Sequence, residues 1–204
     1  VIWSDLPGAV VDTLSMRAVG ARASLQDAGV DVRALRREPG LLEQVDGLEA
    51  WHLLPRHIAG SGLSAYSHAG MTLVGYGDLL EGVDRARRLL SEIEAGWVSL
   101  YTPQIDTLAH VLGDEVALIG LALEQVDRAL GWLAGVLPAQ IRESTAVVLA
   151  TDHGHCPIVQ RVVVPDDLER DTRGVGFSGR VLHAYAERDP VGVAARLARL
   201  VGER

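Results

Sequence analysis

Two short segments of the sequence carry side chains that could bind metal ions. Asp106 and His110 are four residues apart in the first segment, and Asp152 and His153 are adjacent in the second. On a helical turn, the first two side chains would share one face, about 5–6 Å apart at their Cβ atoms. In a turn, where Gly154 permits an unusual backbone angle, the second two could both face a cation. This mixture of nitrogen and oxygen donors favours zinc, with manganese as the alternative.

Each segment follows the carboxyl end of a predicted strand. Strands are predicted at Trp97–Tyr101 and Thr145–Ala150, and the amphipathic helix predicted at Glu115–Leu133 forms the crossover between them. If both strands belong to one parallel sheet, their carboxyl ends lie on the same edge, where open α/β sheets bind ligands. We therefore expect the two segments to form one site. Two cations about 3.5–4 Å apart assist displacement at phosphorus, because they clamp the attacking and leaving oxygens.

Each pair of candidate ligands also has an ordinary structural interpretation. Asp106 could cap a helix that begins at Thr107. His110 could be a hydrogen-bonded core residue, and residues 152–154 could form a plain turn after a strand.

Other donors lie next to these segments. His153, His155 and Cys156 could contribute to a structural zinc site, but the sequence has no matching Cys or His pair that would complete it. We expect Tyr101 and His155 to lie around the metal ligands rather than to bind the metal themselves. His155 could instead be simply exposed.

Composition and charge narrow the class of protein. The 204 residues suit one ordinary domain or part of a larger one. Apolar residues make up 48% and charged residues 23%, which supports a real core and excludes wholesale disorder. The net charge of -8 comes without a basic patch, so we expect no nucleic-acid-binding surface. No stretch approaches the roughly 20 apolar residues of a membrane helix, and residues 1–5 lack signal-peptide features, which favours the cytoplasm for the chain as given.

The remaining pattern predicts an α/β fold with a largely parallel sheet and helices on both faces. Apolar runs of strand type alternate with helical patterns along the chain. Further helices are predicted at Val19–Ala28, Glu81–Ala95 and Val191–Val201, and further strands at Val30–Leu35 and Gly179–Tyr185.

The combined motifs resemble the type I phosphodiesterase/nucleotide pyrophosphatase family of the alkaline phosphatase superfamily. The pattern reads Tyr101-x-Pro103-x-x-Asp106-x-x-x-His110, then a helix containing Asp127, then an apolar strand and Asp152-His153-Gly154. Residues 6–12 and 61–64 are also similar to segments of bacterial members, so the resemblance covers roughly residues 6–190.

The resemblance implies an alkaline-phosphatase-like fold and a metal-dependent hydrolase. The expected substrate is a small phosphate ester or nucleotide, cleaved at a phosphodiester or pyrophosphate bond through a covalent intermediate on Thr or Ser. Asp106 and His110 would bind one divalent cation, and Asp152 and His153 would bind the other.

Some features of the family have no clear counterpart here. Its first metal-binding Asp and its nucleophile are not matched, and His183 lies in a strand pattern rather than in the setting of the family's late zinc ligand. We therefore expect residues 1–204 to be a partial domain, incomplete at both ends, that alone binds zinc weakly and hydrolyses little. The alternatives are a catalytically silent α/β domain of the same superfamily, or another branch such as a phosphomutase or sulfatase.

Overall fold

The computed structural model describes residues 2–5, 7–113, 115–157, 160–178 and 181–202. Its strands are β1 (Ile2–Ser4), β2 (Ala9–Asp12), β3 (Arg17–Ala18), β4 (Glu49–Pro55), β5 (Thr72–Tyr76), β6 (Gly96–Leu100), β7 (Thr172–Ser178) and β8 (Val181–Ala186). Its helices are α1 (Arg56–Ala59), α2 (Gly62–Ser67), α3 (Leu79–Glu92), α4 (Gln104–Leu112), α5 (Val116–Val136), α6 (Ala139–Ser144), α7 (Asp166–Arg170) and α8 (Pro190–Val201). Short 3-10 helices span Val32–Leu35 and Leu41–Gln44.

The chain divides into two compact units. The first comprises Val1–Glu38, Ser61–Ser67 and Val159–Arg204, and the second comprises Pro39–Gly60 and His68–Ile158. The first unit contains an antiparallel sheet of order β1-β2-β3 and the antiparallel pair β7-β8. Helix α8 begins where the side chain of Asp189 caps it and Pro190 occupies its first turn.

The second unit is built on a parallel three-stranded sheet of order β5-β4-β6. Helix α3 covers this sheet, and the buried side chains of Leu53, Tyr76 and Ala86 form the core between them. The helix lies so close to the sheet that a Cβ on Gly82 would stand 3.0 Å from the side chains of Leu100 and Tyr76. Its first turn is fixed by Asp78, whose carboxylate accepts the backbone N–H of Glu81.

The predicted α/β class with a parallel sheet is confirmed, and the longer periodic segments fold as expected. The predicted helices at 81–95, 115–133 and 191–201 correspond to α3, α5 and α8, and the predicted strand at 97–101 corresponds to β6. The predicted strand at 179–185 corresponds to β8, although Gly179 and Arg180 lie outside the described residues.

The helix predicted at Val19–Ala28 and the strand predicted at Val30–Leu35 were both wrong. Residues 19–28 form turns, in which the N–H and hydroxyl groups of Ser24 both donate to the carboxylate of Asp27. The next segment becomes a 3-10 helix, because the side chain of Asp31 accepts the N–H of Arg33. Short polar side chains that bond their own backbone compete with regular helices and strands, and here they prevail.

The strand predicted at Thr145–Ala150 was also wrong. The structure pairs this segment with no strand among the described residues, and the side chains of residues 147–149 are 75–79% exposed. A strand needs a neighbour that takes up its backbone hydrogen bonds, and an apolar sequence cannot supply one. The predicted strand–helix–strand crossover therefore does not form, so a shared sheet edge does not bring the two donor segments together.

None of the helices in the described ranges combines the length and apolar character needed to cross a membrane.

Candidate metal centre

Helix α4 carries the first pair of candidate ligands on one face. Asp106 lies in the first turn of the helix and His110 lies one turn later, with His110 Nε2 3.4 Å from Asp106 Oδ1. Two ordinary interpretations of these residues were wrong. Asp106 does not cap the helix, because Pro103 occupies that position, and His110 is not a core residue, because its side chain is 72% exposed.

The loop at 151–157 brings further imidazoles to the same carboxylate. This loop has no helix or strand, yet His153 Nε2 lies 3.8 Å and His155 Nε2 lies 3.4 Å from Asp106 Oδ1. The donor atoms of Asp106, His153 and His155 all lie within 4.8 Å of one another. Residues of the two sequence segments are thus neighbours in the second unit.

Asp106 Oδ1 is the atom on which these nitrogens converge. It is inaccessible to solvent and has no hydrogen-bond partner among the described residues. A buried acceptor left in this state costs about 1–3 kcal/mol, and more when it is charged. A cation between the carboxylate and the imidazoles would remove this cost, because every donor atom would then face positive charge.

The spacing of the donor atoms fits a divalent cation. Zinc binds carboxylate oxygen and imidazole nitrogen at about 2.0–2.2 Å in a tetrahedron, which places neighbouring ligand atoms roughly 3.3–3.6 Å apart. The 3.4 Å separations of His110 and His155 from Asp106 fall in that range, and the 3.8 Å separation of His153 is slightly longer. The residues present therefore fit a metal ion at Asp106.

Asp152 lies at the outer side of this cluster. Its carboxylate is 86% exposed, with Oδ2 3.6 Å from His153 Nε2, and its Oδ1 accepts the backbone N–H of His153. Asp152 and His153 are close to one another, but neither Asp152 nor His110 is in the group of mutually close donors found among the described residues. The assignment of Asp106, His110, Asp152 and His153 as ligands of two ions stays a prediction.

Tyr101 stands between the sheet and the cluster. Its N–H donates to the carbonyl of Leu53 on the central strand, and its own carbonyl accepts the hydroxyl of Tyr76. Burial, followed by the carboxylates of Asp106 and Asp152, raises the pKa of Tyr101. A tyrosine phenol is already protonated at neutral pH, and this shift extends the protonated range to higher pH, so Tyr101 keeps a proton to donate towards an anion.

A second histidine pair lies in the same unit and makes its stability depend on pH. His52 of β4 is buried, stacks on His68 with ring centroids 3.8 Å apart, and has Nδ1 2.9 Å from Ser99 Oγ. Burial and the neighbouring His68 imidazole lower the pKa of His52 to about 4.

We expect His52 to destabilise the chain as the pH falls from about 6.5 to 4. In this window the His52 imidazole takes up a proton in the unfolded chain but not in the folded chain. The free energy of unfolding that the chain has above pH 6.5 therefore falls by about 1–3 kcal/mol. Urea unfolding at pH 7, 5.5 and 4.5 measures this loss. His52→Asn, which keeps an amide near Ser99, should show a smaller loss, and the exposed control His57→Asn should behave like the native chain.

His155 is the functional candidate that sequence reasoning undervalued. We expected it around the ligands or exposed, whereas the structure places its Nε2 as close to Asp106 as that of His110. The signal was present in the sequence, since only Gly154 separates His153 from His155, and side chains at that spacing share one side of an extended backbone.

One comparison with known proteins gave a match. A family model described as type I phosphodiesterase / nucleotide pyrophosphatase matches residues 63–199, a range that includes α4 and the loop at 151–157. No curated protein and no solved structure matches the chain.

Proposed function

The chain belongs to the type I phosphodiesterase/nucleotide pyrophosphatase family, and we propose that it serves metal-dependent hydrolysis of a phosphodiester or pyrophosphate bond. The substrate is a small phosphate ester or a nucleotide. One observation carries the proposal beyond family membership: the imidazoles of His110, His153 and His155 converge on a buried oxygen of Asp106 that has no hydrogen bond.

A divalent cation supplies Lewis-acid stabilisation of the charge that develops on phosphoryl oxygens. Asp106 and His110 would hold one ion, and His153 with Asp152 would hold the other. Zinc suits these donors best and manganese is the alternative. The carboxylates offset part of the cation charge, whereas the imidazoles bind without adding charge, so the site keeps a positive balance that attracts a phosphate group.

Tyr101 complements these residues as a neutral hydrogen-bond donor. The phenol is uncharged at neutral pH, and its raised pKa extends this to higher pH, so it adds no further negative charge to repel an anionic substrate. The bond from Tyr76 to the Tyr101 carbonyl holds this backbone against the sheet. We assign Tyr101 a positioning role towards a phosphoryl oxygen.

The experiment that tests this function uses both binding and turnover. No residue of this chain is assigned as the nucleophile, so we expect little hydrolysis of bis-p-nitrophenyl phosphate by the chain alone, even with added zinc. The decisive measurement is therefore calorimetric binding of a nucleoside monophosphate with zinc, with manganese and with a chelator. We expect binding that requires the metal.

The alternatives give different results in the same assay. A catalytically silent domain would bind the nucleotide equally with and without metal, or not at all, and either result contradicts the proposal. A sulfatase would prefer a sulfate ester, which p-nitrophenyl sulfate tests. Rapid zinc-dependent hydrolysis that Asp106→Ala abolishes would support the function, while contradicting the expectation that the chain alone hydrolyses little.

A further inference from the structure

The buried oxygen of Asp106 has a neighbour that lies outside the set implied by the family resemblance. His155 Nε2 is 3.4 Å from Asp106 Oδ1, closer than the 3.8 Å of His153 Nε2. The side chain of His155 is 35% exposed, whereas that of Asp152 is 86% exposed. His155 is therefore better placed than Asp152 to reach an ion at Asp106.

The spacing of the two loop imidazoles along the sequence favours their approach to one point. His153 and His155 flank Gly154, and side chains two residues apart in an extended segment project to the same side. Their rings meet edge to face, with centroids 5.3 Å apart and an interplanar angle of 77°, so the two rings do not compete for the same space. His110 meets His155 in the same manner, with centroids 5.8 Å apart.

We propose that His155 is a direct ligand of the cation bound at Asp106, an inference that rests on the proposed function. The donor atoms of Asp106, His153 and His155 form the mutually close group within the described part of the chain. Two imidazoles and one carboxylate are a ligand set of catalytic zinc sites, which keep the fourth position open for water or substrate.

The first test measures zinc affinity, with the metal alone, by competition with a chromophoric chelator. Removal of a residue that merely surrounds the ligands typically costs about 10–100-fold in affinity. We expect His155→Ala to exceed that range, and the exposed control His57→Ala to bind zinc like the native chain. A loss of less than about tenfold for His155→Ala overturns the inference.

A second variant interprets intermediate losses of zinc affinity, because it tests directly whether residue 155 is bonded to the ion. His155→Cys is prepared together with Cys156→Ser, so that the introduced thiol has no thiol neighbour, and the chain is loaded with Co²⁺. If residue 155 binds the ion, its thiol loses a proton and the thiolate–cobalt bond gives a near-ultraviolet charge-transfer band. We expect this band in the double variant and not in Cys156→Ser alone. Bound cobalt without the band overturns the inference.

The same measurements separate this inference from the proposed function. If Asp106→Ala abolishes zinc binding while His155→Ala lowers the affinity less than about tenfold, the metal site stands and His155 is not a ligand. If neither substitution changes zinc binding, the metal site of the proposed function and the role of His155 fail together.

Discussion

Asp106→Asn is expected to remove the stabilisation that zinc gives to the chain, without destabilising the metal-free form. At a zinc concentration 100 times the dissociation constant, binding stabilises the native chain by about 2.7 kcal/mol. The variant should gain almost nothing at the same concentration, because it lacks the carboxylate on which three imidazole nitrogens converge. Urea unfolding with zinc and with a chelator measures both quantities.

The metal-free stability of this variant is the more unusual part of the expectation. Asp106 Oδ1 is buried without a hydrogen bond in the described structure, which costs about 1–3 kcal/mol or more. An asparagine amide has the same shape and can donate N–H to a neighbouring imidazole. The metal-free variant should therefore be as stable as the native chain or more stable.

Asp127→Asn is the matched control, since it makes the same change at an exposed position of α5. Asp127→Asn should be stabilised by zinc against urea unfolding as much as the native chain is. If Asp106→Asn also keeps that response, Asp106 is not a ligand. If its metal-free form is clearly less stable than the native chain, the buried oxygen is satisfied in a way that the structure does not describe.

The site shows which parts of a structure follow from local sequence and which do not. The pairing of Asp106 with His110 follows from helical periodicity alone, because residues four apart share one helix face. The approach of residues 151–157 to that helix was predicted for the wrong reason. We derived it from a shared sheet edge, whereas the structure leaves residues 145–150 unpaired within its described ranges and still places His153 beside Asp106.

The fold also separates what sequence periodicity predicts from what depends on the elements that pack against a helix. Helix α5 was predicted from one apolar stripe, but only part of that stripe faces the protein interior. The predicted stripe consists of Val116, Ile119, Leu123, Val126 and Leu130. Val116 and Leu123 of that stripe are exposed, and Ala122, Val126 and Ala129 are buried. Periodicity establishes that a helix exists, whereas the direction of its packed face depends on neighbours that a single sequence does not identify.

Leu53→Ala is expected to cause the largest loss of stability in the second unit. Leu53 is fully buried at the centre of β4 and packs among the side chains of β5, β6 and α3. Truncation of a leucine at such a site removes apolar contacts and leaves a cavity, which together cost about 2–5 kcal/mol. Urea unfolding of the metal-free chain measures this loss.

The control for this substitution is Leu80→Ala, which truncates an exposed leucine of α3 and should change stability by no more than about 0.5 kcal/mol. Equal effects of the two substitutions would contradict the core assigned to the sheet.

The carbonyl of Leu53 also accepts the N–H of Tyr101, next to the point where the chain enters α4. Since substitution at Leu53 leaves that backbone bond in place, zinc should restore about as much stability to Leu53→Ala as it adds to the native chain. The double variant with Asp106→Asn should show no such recovery, because it lacks the carboxylate that binds the metal.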